Sequence, residues 1–226
     1  MPLNDATGHE PTRQRRPVSV IHLSTSSPSM VPAPPADLSL DAQHAAFLAN
    51  KFLAMPIAGA IAWTAIGIVG ALAPLATAVW AVWIGTGGIF YLGLAVARLT
   101  GEDLLGRERK SDFFDRVFLL ATGSALLVFA VAVPFFLVEP TSLPLSVGVL
   151  SGLMWLPFSG LVRHWVGVFH GVVRTVGVVA VWTLFPDARF VAVPAVIVAV
   201  YVVSIVVLAR RYSRVVRSGG VPSPAR

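Results

Sequence analysis

The sequence contains no cysteine. Disulfides, thiol nucleophiles, thiolate metal sites and palmitoyl anchors are therefore excluded. Charge is scarce too. Only 12% of the 226 residues are Asp, Glu, Lys or Arg, about half of the ~25% usual in soluble domains. Acids are fewer than bases, 11 against 17, which leaves a net charge of +6. No charged residue occurs between Phe52 and Ala97, and no Asp or Glu falls inside any apolar block. A proton relay built on paired intramembrane carboxylates is therefore excluded. Gly-x-Ser-x-Gly and His-Glu-x-x-His are absent, which removes the best-marked hydrolase and metalloprotease signatures. Gly85-Thr86-Gly87-Gly88 lacks the lysine and the spacing of a phosphate loop.

Apolar residues, in contrast, make up 56% of the chain. They come in several blocks longer than the ~18 residues that argue for a membrane span. The expected fold class is all-α, a polytopic integral membrane protein with six transmembrane helices. The spans fall at about residues 52–72, 75–97, 117–138, 143–162, 165–185 and 190–209. Pro74, Glu139-Pro140 and Pro186-Asp187 mark the short turns. Residues 1–50 read as a disordered, Pro/Ser-rich cytoplasmic tail whose last stretch, 38–50, is either a short surface helix capped by Asp37 or Ser39 or an ordered approach to the first span. Residues 51–209 form the membrane domain and 210–226 a basic cytoplasmic tail. Arg15-Arg16 is followed by too short and polar a stretch to be an export signal. No internal repeat supports an inverted-repeat transporter.

Basic residues cluster at the ends of the apolar blocks. With both termini in the cytoplasm, the internal segments hold Arg13, Arg15, Arg16, Lys51, Arg98, Arg107, Arg109, Lys110, Arg116, Arg163, Arg210, Arg211, Arg214, Arg217 and Arg226. Only Arg189 is external, and Arg174 lies in the membrane. This arrangement obeys the positive-inside rule and predicts a multi-pass protein of a cell inner (plasma) membrane. The same clustering argues against a nucleic-acid partner, because no basic face spreads over a soluble surface.

Arg174 is the one charge inside an apolar segment. It lies ~16 Å along a helix from Arg163, about half of a ~30 Å hydrocarbon core. Arg163, Gly167, His170, Arg174 and Gly177 fall within about 80° on a helical wheel. Charge facing lipid is disfavoured, so this stripe should face the bundle interior. His170 and Arg174 are adjacent at i, i+4, and repulsion predicts a neutral imidazole. Arg174 must meet carbonyls, water or an anion, and Pro157 would free a carbonyl for it. The candidate ligand-binding residues are His170, Arg174, Arg163 and His164. No catalytic or cofactor-binding residue is assigned and no cofactor is implied. His164 and His170 lie on opposed faces with no third ligand, so no metal site is assigned. Ser151 and Ser159 near these histidines define no hydrolase geometry.

Helix packing has its own signals. Ala54, Ala58 and Ala62, then Gly148 and Gly152, then Gly167 and Gly171, recur at four-residue steps and allow close approach or a homo-oligomer face. Trp165 and Tyr212 suit one membrane interface and Trp182 the other, while Trp63 and Trp155 belong to the bundle core. The leading function is a permease-like membrane protein with an anion- or lipid-binding spot on the fifth helix. Its partners would be the bilayer and an anionic lipid or small anionic solute. The alternative is a structural or regulatory membrane protein in which Arg174 only packs helices. A membrane-embedded enzyme comes third.

Lys51 to Ala60 with Trp63 and Ile66-Gly67, then Gly152-Leu153-Met154-Trp155-Leu156-Pro157-Phe158 through Arg163-His164-Trp165-Val166-Gly167 to Phe169-His170 and Arg174-Thr175, carry a resemblance. Over about residues 45–210 the chain resembles a family of small uncharacterised bacterial inner-membrane proteins, a domain of unknown function. The resemblance implies a helical membrane domain and a bacterial source. It brings no activity, cofactor or catalytic residue.

Overall fold

Long apolar stretches without internal hydrogen-bonding partners must become helices, and a computed structural model shows this. It describes residues 39–102, 104 and 113–217. Among these, every regular element is helical. The expectations for residues 1–36 and for the basic tail beyond residue 217 lie outside the described residues.

A short helix α1 (Leu40–Leu48) starts at Ser39, whose hydroxyl accepts from Ala42 N. Its Phe47 is buried, and His44 Nε2 bonds Leu161 O at 2.9 Å. The helix is therefore anchored in the bundle, and in its first turn Gln43 Oε1 accepts from Phe113 N at 3.3 Å. Helix α2 (Ala54–Leu72) packs on α3 (Leu75–Thr100) across the Pro74 turn. Ala54, Ala58 and Ala62 are all buried, as their spacing predicts.

The third expected span is interrupted. Helices α4 (Phe113–Leu127) and α5 (Phe129–Val138) meet at Val128, and neither alone is long enough to cross a ~30 Å core. The fourth is α6 (Leu143–Leu153) continued by α7 (Trp155–Val162) after a break at Met154. Then come α8 (Val166–Leu184) and α9 (Arg189–Arg217). The last helix runs eight residues past the expected span end at 209. No breaker interrupts Arg210–Arg217, and Arg211 ties it to the α1 end through Leu48 O at 2.8 Å.

Five segments are long and apolar enough to cross a membrane: 54–72, 75–100, 140–162, 166–184 and 186–217. Their outward faces carry Leu72, Ile84, Trp80 and Leu184, each well over half exposed. A soluble monomer does not leave so much contiguous apolar surface to water. The chain is a membrane protein whose solvent on these faces is lipid. The core collects Trp63, Ile66, Val147, Trp155, Val193 and Ile197.

The α2 entry is fixed by a charged cap. Phe52 adopts a left-handed φ of 58°, a rare conformation for a bulky residue. Its ring packs on Phe47 at 5.0 Å and on Phe158 at 5.4 Å. The Glu102 carboxylate then accepts from Leu53 N at 3.1 Å and from Ala54 N at 3.0 Å. These are orphan amides at a helix N-terminus, where negative charge is also favoured. Glu102→Ala should cost about 1–2 kcal/mol, read as a lowered unfolding midpoint of detergent-solubilised protein.

At the opposite end, Arg189 stacks on the Trp182 ring at 3.9 Å and donates to Trp182 O and Thr141 Oγ1. Trp182 Nε1 donates to Thr141 O, so the two turns at that end are fastened together. Hydrogen bonds from Thr141 hold the nearby Glu139 carboxyl below the usual range.

Candidate functional site

The site begins with the hairpin of α8 and α9. His170 faces Ser204, Arg174 faces Tyr201, and Gly177 faces Val196. A regular antiparallel pair thus brings the polar residues of both helices to the same levels. The faces of α6 and α7 close the site from the other side. Two glycines make that approach feasible. A Cβ on Gly152 would lie 3.0 Å from Arg174 Cδ, and one on Gly167 would lie 2.2 Å from Trp155 O.

Arg174 is fully buried. Its Nε donates to Gly148 O at 2.7 Å. Nη1 donates to Tyr201 Oη at 3.2 Å and meets His170 Nε2 at 3.4 Å. Nη2 donates to Ser151 Oγ at 2.8 Å. The guanidinium also lies over the rings of Tyr201 at 5.3 Å and Trp63 at 5.7 Å. All these groups are neutral, so the charge is solvated by dipoles and ring faces and meets no carboxylate among the described residues. The expected carbonyl is present, but it is not the one freed by Pro157. Gly148 lies a full helix segment earlier, where α6 passes Arg174 closely.

His170 is equally buried. Its ring stacks on Trp155 at 3.8 Å and 10°, with Tyr201 edge-on at 4.8 Å. Ser204 Oγ donates to Val200 O at 2.9 Å, so it accepts from His170 Nδ1 at 2.9 Å. The proton is therefore on Nδ1, and Nε2 offers its lone pair to Arg174. The imidazole is neutral, in keeping with the repulsion expected beside Arg174.

Beside this cluster lies a cavity of about 250 Å³. It extends from Asn50 and Glu102 at the basic end inward to Thr86, Ser151 and Tyr201, with Trp155 in its wall. Its other walls are mainly apolar, from α3, the α4–α5 junction and the first turn of α2. Ser151 and Tyr201 thus touch both Arg174 and the void. Ser151 donates its own proton to Val147 O. The nearby Trp63 Nε1 is buried without an acceptor.

The four sequence-derived candidates divide into two pairs. His170 and Arg174 come together in the interior. Arg163 and His164 do not join them. Arg163 ends α7 with a left-handed φ of 49° and is exposed, so it precedes α8 and leaves the stripe. His164 Nδ1 accepts from Val166 N at 3.2 Å. Burial, and then Arg211 and Arg214, hold its pKa below the usual imidazole range. Among the described residues no three His, Asp or Glu side chains group as metal ligands would.

Tyr201, Ser204 and Gly148 were missed from sequence. Tyr201 and Ser204 had a legible signal, being hydroxyls three apart on one face of the last apolar helix. A backbone carbonyl such as Gly148 O carries no such signal. Trp63 and Trp155 are core residues, as expected, and also form the walls of the site.

A family model described as a family of unknown function (DUF7010) matches residues 42–211. No curated protein matches. No solved structure matches.

Proposed function

The chain belongs to the DUF7010 family of unknown function, and we propose that it binds the acidic group of a small amphiphile in the cavity beside Arg174. One observation carries this reading. The two hydroxyls that accept from a buried, unneutralised arginine, Ser151 and Tyr201, also line the 250 Å³ void. A buried cation without an acid is costly and draws an anion to its vicinity. The apolar walls suit a hydrocarbon chain, and the cavity is near the lower size limit of small-ligand sites. Binding of this kind is the first step of a permease-like activity on an anionic lipid or solute.

We further propose six spans in a bacterial inner membrane, with both termini cytoplasmic and α4–α5 crossing as one broken span. The positive-inside distribution supports this topology. A C-terminal reporter fusion active only outside the cytoplasm would contradict it. The Gly/Ala faces that could have joined copies are filled within the chain, because Ala54, Ala58, Ala62, Gly148, Gly152, Gly167 and Gly171 are all buried.

Decanoate and decanol provide the direct test of the site, because they differ only in head charge. Decanoate should raise the unfolding midpoint of the purified protein more than decanol does. Ser151→Leu, which fills the deep end of the cavity, should abolish both shifts. Equal shifts from acid and alcohol would remove the anion site.

A specific observation also favours a structural reading. Arg174 already makes four interior hydrogen bonds linking α6, α8 and α9. In that reading the arginine holds the helices together, and its loss shows in stability rather than in ligand preference.

A further inference from the structure

A second cationic centre lies at the basic end, apart from the cavity. The α8–α9 register that pairs His170 with Ser204 and Arg174 with Tyr201 sets Val166, where α8 starts, about level with Leu208, and the α7–α8 turn with Arg163 and His164 lies beyond that level. Helix α9 then projects further, carrying Arg214 and Arg217 past the α7–α8 turn. His164 feels Arg211 and Arg214 directly. Arg163, Arg210, Arg214 and Arg217 are exposed.

The turn itself is closed by hydrogen bonds. Arg163 N donates to Gly160 O, His164 N to Ser159 O, and Ser159 Oγ to His164 O. Glycine is the cheapest residue at a left-handed helix end, yet this chain places a long cation there. His164 Nδ1 is occupied by Val166 N, so the neutral ring carries its proton on Nε2 and presents a donor there. Trp165 stands beside it, 57% exposed and 5.6 Å from the His164 ring. Of the described carboxylates, Glu139 and Asp187 lie at the other end, Glu102 caps α2, and Asp41 stands in the first turn of α1 at the basic end.

We propose that Arg163, His164 and Arg214 form a binding site for the phosphodiester of an anionic membrane phospholipid, with Trp165 against the glycerol and upper chain region. The chemistry is guanidinium and imidazole donors to phosphate oxygens. The place argues for lipid, because the centre lies where the apolar stretches of α8 and α9 end and headgroups begin.

Native mass spectrometry of the full-length protein tests this. Protein would be released from micelles loaded with equal phosphatidylglycerol and phosphatidylcholine. The wild type should retain phosphatidylglycerol about tenfold over phosphatidylcholine. The double variant Arg163→Gln/Arg214→Gln should bring the ratio close to one. Arg98→Gln, an exposed charge at the same end on another helix, should leave it unchanged. Both variants alter exposed side chains, and an unchanged elution volume would confirm folding. If the double variant does not fold, Arg214→Gln alone should still lower the ratio several-fold. A wild-type ratio near one, or an equal loss in Arg98→Gln, overturns the proposal. Displacement of the lipid by millimolar glycerol phosphate would assign the centre to a soluble phosphate and overturn the lipid assignment.

Discussion

Arg174→Leu should leave the protein folded and remove its preference for decanoate over decanol. The stability half follows from what each partner keeps. Gly148 O lies inside α6, where the helical ladder supplies another donor. Ser151 still donates to Val147 O, and His170 still bonds Ser204. All four partners lose a donor, but Gly148 O and Ser151 Oγ keep another hydrogen bond, so only the Tyr201 hydroxyl and His170 Nε2 are left short of one. Against these losses stands the removal of a desolvated charge. Replacing a buried charge by a hydrophobic residue is often neutral or favourable when no partner charge is stranded. Leucine is smaller, and the residual void adds a modest cost. The net change should be within about 2 kcal/mol.

The binding half is larger. A carboxylate at Ser151 would be ~6 Å from the guanidinium, which at an effective dielectric of ~20 gives about 3 kcal/mol. Desolvation of the acid offsets part of this, so the decanoate preference should fall at least tenfold. Titration of wild type and variant with both amphiphiles measures it. A midpoint lowered well beyond that range, with the decanoate preference unchanged, would favour the structural role of Arg174. An unchanged preference in a folded variant would remove the proposed site.

Gly167→Ala should lower stability by about 2–3 kcal/mol although alanine is the better helix former. Propensity favours the substitution by about 1 kcal/mol. The added Cβ, however, meets Trp155 O at 2.2 Å and Ser159 N at 2.8 Å. Both are backbone atoms of α7, so relief requires moving the helix. Overpacking of this kind costs roughly 1–3 kcal/mol, and backbone contacts fall at the upper end. The shift would also disturb the stacking of Trp155 on His170. Gly88→Ala is the opposite case, because its Cβ meets nothing within 4 Å. That variant should be neutral or gain up to about 1 kcal/mol. Unfolding midpoints of both variants in one detergent decide the pair. Equal midpoints would mean that α7 and α8 are not held in this close approach.

The helical class, the boundaries of most spans and the mid-helix place of Arg174 were legible in the residues alone. Those properties depend on local composition: apolar run length, proline punctuation and the energetic cost of charge in lipid. Span limits at α2, at α6 continued by α7, and at α8 agree within a few residues for that reason. The sequence also isolated His170 with Arg174, because a helical period of 3.6 is enough to put i and i+4 on one face. It erred where a break depends on neighbours. The interruption at Val128 has no glycine or proline at the break to announce it. Arg163 was assigned to the stripe because a wheel cannot know that the helix starts at Val166.

Tertiary structure alone decided what Arg174 meets. Gly148, Ser151 and Tyr201 lie 26, 23 and 27 residues away along the chain. Only the close passage of α6 and α9, allowed by glycines and fixed by the hairpin register, brings their oxygens within hydrogen-bonding distance. The same packing leaves the cavity beside the charge. The physical reason is that hydrogen bonds act over about 3 Å, whereas sequence patterns specify faces and depths and not which neighbour fills them.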